Sequence, residues 1–348
     1  MNSDDRRIVV LTEGFSNPVT AKTGASVIRY REQDVVAVLD AENAGKRAID
    51  ILDVGENIPV VASLSDVPQA NTLLIGTAPT GGRLPDRWRS AIAQALKLGL
   101  DVVSGLHDFI ADDPEFAALA KEHDASIVDV RRNSETGVSI GQPLGNENVR
   151  IHTVGHDCSI GKMLVTLELE KALKANGHSA KFLATGQTGI MVSGEGVPID
   201  TVVADFVAGA AERLVLRNKQ HEILLVEGQG SLAHPMYSAV TLGLLHGSQP
   251  QGLILCYEAG REECGGIPGR KLHSLPTLKK AYETAGRLVH PTDVIGVAMN
   301  GRRLTPDQAE SEKKRVHDEM GLPVCDVIRD GPEVLVDAVL KLRASLRP

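Results

Sequence analysis

The chain has few aromatic residues, few cysteines and no excess of positive charge. Phe, Trp and Tyr make up 3% of its 348 residues, and the formal net charge at pH 7 is −8. Surfaces that bind nucleic acids combine basic stripes with aromatic stacking platforms, so this composition argues against DNA or RNA as a partner. The four cysteines lack C-x-x-C spacing, which argues against a zinc knuckle or a disulfide framework. We predict no metal site.

Long apolar runs are also absent. No stretch approaches the roughly 20 apolar residues of a membrane-spanning helix, and residues 1–7 lack the apolar region of a signal peptide. We therefore expect a cytoplasmic protein that binds a small-molecule substrate and no membrane. The length and the 42% hydrophobic content fit two domains. We also expect a homo-oligomer, because soluble enzymes often assemble symmetrically.

Short β-favouring runs alternate with helix-like segments along the whole chain, a pattern typical of parallel α/β architecture. Six strands are predicted in the N-terminal half, at residues 7–12, 34–40, 59–62, 72–76, 101–104 and 126–130. Six more are predicted at residues 149–154, 180–185, 222–226, 252–257, 293–299 and 323–328. Residues 131–148 are polar and rich in turn-forming residues, which predicts a linker. We place the domain boundary there, with domains at 1–148 and 149–348.

The most informative motif begins at Val154 and ends at Met163. A predicted strand precedes it and a predicted helix over 161–175 follows it, which is the context of a phosphate-binding loop. Successive backbone N–H groups and the helix N-terminus attract phosphate, and Lys162 adds a cation. The predicted ligand-binding residues are Gly155, His156, Asp157, Cys158, Ser159, Ile160, Gly161, Lys162 and Met163.

This loop departs from the Walker A pattern G-x-x-x-x-G-K-[ST] in two ways. Five residues separate Gly155 from Gly161, and Met163 stands where a Ser or Thr normally would. The missing hydroxyl usually ligates the Mg²⁺ of a nucleoside triphosphate, and a thioether does not suit this hard cation. We therefore expect phosphate binding with a weak or absent dependence on Mg²⁺.

A second loop with functional groups follows the third predicted strand of the C-terminal half, at residues 226–235. Ligands of doubly wound folds collect beyond the carboxyl ends of the strands, so this loop should face the phosphate-binding loop. Glu227 and His234 are candidate general bases. The predicted substrate residues are Gln229, Gly230 and Ser231 in this loop, and Thr188 and Gly189 in a predicted turn over 185–189. A glycine turn in which Glu227 only caps a helix is the alternative.

The stretches 155–162, 185–189 and 226–230 resemble the dethiobiotin synthetase branch of P-loop proteins, which uses the same long loop. More closely, the whole chain is identified as a member of a bacterial family of two-domain proteins long described as a domain of unknown function. That family includes the DgcN-type D-glutamate N-acetyltransferases. The specific parts of the match are 184–194, 226–235 and 242–250. The resemblance implies an α/β protein with an N-terminal Rossmann-like parallel sheet and a C-terminal, doubly wound sheet of the P-loop NTPase type.

The resemblance further implies an N-acyltransferase that moves an acetyl group from acetyl-CoA to the amine of an amino acid. D-glutamate is the favoured acceptor. In this hypothesis Lys162 and the loop amides hold phosphates of CoA, and Glu227 or His234 takes a proton from the substrate ammonium. N–H groups around 228–231 would stabilise the thioester oxygen. Arg83 and Arg261 are alternative partners for the side-chain carboxylate of the substrate.

Two other functions remain open. The first is a ligase or kinase that uses ATP with Mg²⁺ and resembles dethiobiotin synthetase. In that enzyme Glu227, Asp157 or Asp205 would hold the metal in place of the missing hydroxyl. The second is a non-catalytic sensor of a nucleotide or of CoA, which would bind its ligand tightly without turnover.

Overall fold

The structure, a computed structural model, describes residues 5–77 and 79–346. Its strands are β1 Ile8–Leu11, β2 Val35–Leu39, β3 Val60–Val61, β4 Thr72–Ile75, β5 Asp101–Ser104, β6 Ile127–Asp129, β7 Val149–Gly155, β8 Ala180–Leu183, β9 Ile223–Val226, β10 Gly252–Glu258, β11 Asp293–Asn300 and β12 Val324–Cys325. Its α-helices are α1 Lys22–Arg31, α2 Ala48–Leu52, α3 Arg89–Lys97, α4 Pro114–Glu122, α5 Lys162–Ala175, α6 Gln187–Ser193, α7 Val207–Arg217, α8 Ser238–Ser248, α9 Leu275–Arg287, α10 Pro306–Met320 and α11 Glu333–Leu346. Within the described ranges, none of these helices has both the length and the apolar character needed to cross a membrane.

Each predicted strand matches one strand of the structure, although several ends differ. The largest difference is in β12, which was expected over 323–328 and ends at Cys325. The reason is local, because the carboxylate of Asp326 accepts the N–H groups of Ile328 and Arg329 and bends the chain into a turn.

The chain forms two compact units. The first contains the residues up to 133 together with 187–198, and the second contains 134–186 and the residues from 199 onward. The predicted domains also include residues 1–4, 78 and 347–348, which lie outside the described residues.

The first unit is built on a parallel sheet with the strand order β3-β2-β1-β4-β5-β6 within the described residues. This is the strand order of the Rossmann fold. All residues of β1 and β4 are buried, as expected for a parallel sheet that is covered on both faces. Helix α6 belongs to this unit although it follows β8 in the chain. Its Gln187 donates from Nε2 to Oγ1 of Thr23 on α1 at 2.9 Å.

The second unit has a parallel sheet with the order β12-β11-β10-β7-β9-β8 in the described part of the chain. The central strand β7 is buried over all seven of its residues. From β7 the chain first adds strands on one side, β8 and β9, and then continues on the other side with β10. The crevice at such a reversal lies outside the carboxyl ends of the strands and is the usual ligand site of doubly wound folds.

The predicted linker binds along α7 of the second unit. Glu135 forms an ion pair with Arg213, whose Nε lies 2.8 Å from Oε2, and Arg213 also donates to the carbonyl oxygen of Gly137 at 3.0 Å. The backbone at Gly137 and Val138 lies so close to Gly209 that a Cβ atom there would overlap it. The glycine in α7 therefore allows this segment to pack against the helix.

We expect the substitution Gly209→Ala to displace residues 137–139 from α7, because the added methyl group overlaps their backbone. The cost should be about 1–3 kcal/mol in the free energy of unfolding, as for other overpacked contacts. Urea unfolding and limited proteolysis near residue 137 measure both effects. Leu216→Ala, at an exposed position of the same helix, is the control. Unchanged stability and unchanged cleavage in Gly209→Ala would contradict this packing.

Candidate functional site

The phosphate-binding loop has the predicted context, since β7 ends at Gly155 and α5 begins at Lys162. Two of its glycines are required by geometry. A Cβ atom on Gly155 would lie 2.6 Å from Cδ1 of Ile160, and Gly161 has φ = +108°, which side chains of L-residues rarely allow. Ile160 is itself buried in the core of the second unit, so the loop is anchored in its middle.

The loop presents a row of unpaired donors. Among the described residues, the backbone N–H groups from Ser159 to Met163 have no hydrogen-bond acceptor. Nζ of Lys162 donates to the carbonyl oxygen of Asp157 at 2.8 Å, and burial lowers the pKa of this lysine. Free N–H groups at a helix N-terminus with a lysine beside them form an anion-binding site.

The side chains early in the loop hold its shape. The carboxylate of Asp157 is buried and accepts the N–H groups of Cys158 and Gly265, both at 2.7 Å. It also lies 3.1 Å from Nη2 of Arg261. Nε2 of His156 accepts the N–H of Glu258 at 3.1 Å, and burial lowers the pKa of this histidine to about 4. His156 thus binds the end of β10 and Asp157 binds the segment that follows it. Their predicted contact with a ligand stays a prediction.

Glu227 follows β9 and is 3% exposed. Its Oε2 accepts the N–H groups of Thr185 at 2.8 Å and Gly186 at 3.0 Å. Burial raises the pKa of Glu227 to about 7, although these donors, the charge of Lys162 and a hydrogen bond from Gln229 lower it in part. A carboxylate with a pKa near neutrality has the proton affinity that a general base needs. The same carboxylate also caps the turn after β8, as the alternative predicted.

His234 is also buried, but both of its ring nitrogens are occupied. Nε2 lies 3.0 Å from the carbonyl oxygen of Gly265, and Nδ1 accepts the N–H of Met236 at 3.3 Å. A carbonyl oxygen only accepts, so the network assigns the proton to Nε2. In this arrangement His234 connects the loop after β9 to the segment after β10 by hydrogen bonds. It has no free lone pair that could accept a proton from a substrate. The geometry favours Glu227 as the base.

The loop after β9 passes directly over the phosphate-binding loop. A Cβ atom on Gly228 would overlap the carbonyl of Thr153 and come within 3.0 Å of the Lys162 side chain, so only glycine fits there. The N–H of Gly228 donates to Oγ1 of Thr153 at 3.0 Å and is therefore not free for a ligand. The N–H groups of residues 229–231 have no acceptor within the described ranges and remain the candidates for an oxyanion site.

The predicted substrate residues belong to different elements of the chain. Gln229, Gly230 and Ser231 follow β9 in the second unit, whereas Thr188 and Gly189 belong to α6 in the first unit. The turn predicted over 185–189 is wrong after Gly186, where the helix begins. The hydroxyl of Thr188 lies 2.8 Å from that of Thr23, so tertiary contacts determine the conformation of this segment.

Three other candidates take clear positions. Arg261 is paired with two buried carboxylates, those of Asp157 and Glu258. Asp205 is exposed in a short 3-10 helix, and Arg83 is an exposed residue of the first unit.

A group of three side chains has the spacing that a metal site would require. Asp157, Cys158 and His234 each offer one ligand atom, and these three atoms lie within 4.8 Å of one another. Arg261 already supplies the positive charge at Asp157, so a metal ion there would have to displace it.

Tyr282 on α9 is a residue that the sequence analysis missed. Its hydroxyl donates to the carbonyl oxygen of Gly155 at 2.8 Å and accepts the N–H of Leu232 at 3.1 Å. The fully buried phenol thereby joins the end of β7 to the loop after β9. A tyrosine on an amphipathic helix carries no local signal for this role, because both partners are distant in sequence.

The comparisons with known proteins cover both halves of the chain. Residues 41–133 match the model of the DUF1611 N-terminal Rossmann-like domain, and residues 137–336 match that of the DUF1611 C-terminal P-loop domain. Both models are described as domains of unknown function.

Two curated relatives and one solved structure are similar over most of the chain. A D-glutamate N-acetyltransferase of Tritonibacter scottomollicae is 41% identical over 271 residues, which cover 78% of this chain and 81% of the relative. A D-glutamate N-acetyltransferase of a Pseudoalteromonas species is 38% identical over 268 residues, or 77% of this chain and 80% of the relative. The crystal structure of a DUF1611 family protein from Anabaena variabilis is 38% identical with a TM-score of 0.90, and the match covers 97% of this chain and 99% of that one.

The raised pKa of Glu227 predicts a pH-dependent stability. Its ordinary value of 4.5 applies to the unfolded chain and a value of about 7 to the folded protein. Between these values the folded protein keeps a proton that the unfolded chain releases. The stabilisation is therefore complete below about pH 4.5 and is lost as the pH rises through about 7.

The variant Glu227→Gln cannot titrate at this position. We therefore expect the free energy of unfolding of the wild type to fall by up to about 3 kcal/mol relative to that of the variant between pH 4.5 and 8. Urea unfolding at a series of pH values measures this difference. Glu310→Gln, at an exposed position of α10, should run parallel to the wild type. Parallel curves for wild type and Glu227→Gln would mean that Glu227 titrates normally.

Proposed function

The chain belongs to the DUF1611 family, as its motifs predicted, and we propose that it is an N-acetyltransferase that transfers the acetyl group of acetyl-CoA to the amine of D-glutamate. The names of the two curated relatives support the reaction. The site supports it with one observation, a buried carboxylate with a pKa of about 7 beside the lysine of a phosphate-binding loop.

The loop amides from Ser159 to Met163, together with Lys162, bind the pyrophosphate of CoA. These N–H groups have no acceptor among the described residues, and the adjacent helix N-terminus favours an anion. Met163 supports CoA over ATP, because transfer of an acetyl group needs no Mg²⁺ whereas transfer of a phosphoryl group does. Thr166, the next hydroxyl along α5, does not replace the missing one, since it donates to the carbonyl oxygen of Lys162 inside the helix.

Glu227 accepts the proton that the amino group of D-glutamate loses when its nitrogen attacks the thioester carbonyl. A base is most effective when its pKa lies near the working pH, and burial raises the pKa of Glu227 into that range. Both backbone donors bind Oε2 and the amide of Gln229 also donates to the carboxylate, so the proton goes to the lone pair of Oε1 that these donors leave free. The tetrahedral intermediate then expels the CoA thiolate, which takes the second proton of the nitrogen and leaves as the thiol, and the amide bond of the product is formed.

The N–H groups of residues 229–231 stabilise the negative charge that develops on the thioester oxygen. Gly230 has φ = +65°, which turns the backbone in this stretch. The buried hydroxyl of Tyr282 holds the next N–H, that of Leu232, and so keeps the loop in place.

Transfer is direct and has no acyl-enzyme intermediate on cysteine. Cys158 is the one cysteine of the phosphate-binding loop, and burial raises the pKa of its thiol to about 11. Such a thiol is protonated near pH 7 and is a poor nucleophile.

The first test incubates the protein with acetyl-CoA and D-glutamate without ATP or Mg²⁺ and follows the release of the CoA thiol. We expect the release of the thiol to require D-glutamate. The substitution Lys162→Ala should slow this release. The rate should rise as the pH passes through about 7, because Glu227 must lose its proton before it acts as a base. Glu227→Gln should lower kcat by roughly 10²–10⁴-fold, the usual contribution of a general base.

Glu310→Gln should leave both kcat and the pH profile unchanged, since this glutamate is exposed on α10. A Glu227→Gln variant with wild-type kcat would remove this residue as the base. The absence of thiol release with D-glutamate and with a panel of other amino acids would contradict the proposed reaction.

A further inference from the structure

Three arginines meet at one buried carboxylate beside the phosphate-binding loop. Glu258 is the last residue of β10, and its side chain is fully buried. Its Oε1 lies 2.7 Å from Nε of Arg302 and 2.9 Å from Nε of Arg303. Its Oε2 lies 3.2 Å from Nη1 of Arg261. One carboxylate thus orients three guanidinium groups.

This cluster is connected to the phosphate-binding loop by hydrogen bonds. Arg261 donates from Nη1 to the carbonyl oxygen of Cys158 at 3.2 Å. Asn300, the last residue of β11, donates from Nδ2 to the carbonyl oxygen of Ile160 at 3.0 Å and accepts the N–H of Arg302 at 3.2 Å. The arginines therefore border the loop on the side of β10 and β11.

Glu227 borders the same loop on the opposite side. It follows β9, and the strand order β11-β10-β7-β9 places β7 and its loop between Glu227 and the arginine cluster. In the proposed reaction the reacting end of a ligand on this loop runs toward Glu227. Its other end then lies toward the arginines.

The charges of the cluster do not balance. Apart from Lys162, which belongs to the phosphate-binding loop, the cluster has three cations, Arg261, Arg302 and Arg303, and two carboxylates, Asp157 and Glu258. One positive charge is therefore in excess. The loop itself accounts for one phosphate group of a ligand, so a second anionic group fits this excess.

Arg302 and Arg303 have the geometry for such a group. Each faces Glu258 with its Nε, and no hydrogen bond donated by their Nη nitrogens is found in the described part of the chain. The side chains are 49% and 54% exposed, so these nitrogens remain accessible from solvent. Guanidinium groups that are already oriented bind phosphate through paired N–H donors with less loss of conformational freedom.

We propose that Arg302 and Arg303 bind a second anionic group of the ligand, the 3′-phosphate of CoA. This inference rests on the proposed acetyltransferase function. Their half-exposed positions suit the outer, non-reacting end of CoA. A carboxylate of the amino-acid substrate has related chemistry, but it would have to lie close to the base, and Glu227 is on the other side of β7.

The test compares the binding of CoA and of 3′-dephospho-CoA by titration calorimetry. We expect the wild type to bind CoA at least tenfold more tightly than 3′-dephospho-CoA. In the double variant Arg302→Gln/Arg303→Gln this preference should disappear, with CoA reduced to the affinity of the dephosphorylated form. The two single variants, which change one exposed side chain each, should give intermediate preferences and guard against misfolding of the double variant. Arg287→Gln, at a 51% exposed position on α9, is the matched control.

Lys162→Ala should weaken the binding of both ligands and leave the preference for CoA in place, because it acts on the loop and not on the arginines. A wild type that binds both ligands equally, or a double variant that keeps the preference, overturns the inference while the proposed function stands. A double variant with an unchanged preference and a tenfold higher KM for D-glutamate would assign the arginines to the acceptor carboxylate and overturn it as well. No binding of either ligand by the wild type would overturn the proposed function and this inference together.

Discussion

The buried carboxylate of Asp157 is the interaction on which the site depends. It binds an N–H group of its own loop, an N–H group of the segment after β10, and the guanidinium of Arg261. A buried charge is stable only when its lone pairs are satisfied, so these three donors must stay in place. Their fixed positions in turn determine the shape of the phosphate-binding loop. The same guanidinium then reaches Glu258, which orients the arginines beyond it.

Burial also shifts the pKa values of the two groups that the proposed reaction uses. Lys162 and Glu227 lie in the interior of the second unit, where burial lowers the pKa of the lysine and raises that of the glutamate. Each group favours the charged form of the other, which limits both shifts. In the proposed reaction the lysine serves as a cation for phosphate, whereas the glutamate exchanges its proton near neutral pH. The two roles follow from a shared environment with little water.

Much of the fold follows from local patterns in the chain. The hydrophobic runs and the turn residues predicted every strand, and the glycines and Lys162 predicted the phosphate-binding loop between β7 and α5. Local patterns are a weaker guide to the contacts of single side chains. Thr188 was expected in a ligand-lining turn but lies in a helix that contacts Thr23, and His234 was expected as a base but has both ring nitrogens bonded. Those contacts join residues that are far apart in sequence, and no periodic pattern encodes them.

The sequence by itself determined the α/β class, the order of the strands along the chain and the glycine-containing loop between β7 and α5, because each depends on residues that are close in sequence. The tertiary structure decided the order of strands within each sheet, the membership of α6 in the first unit and the convergence of three arginines on Glu258. It also decided the proton affinity of Glu227. These properties depend on burial and on distances between distant segments, and a chain acquires both only when its core is packed.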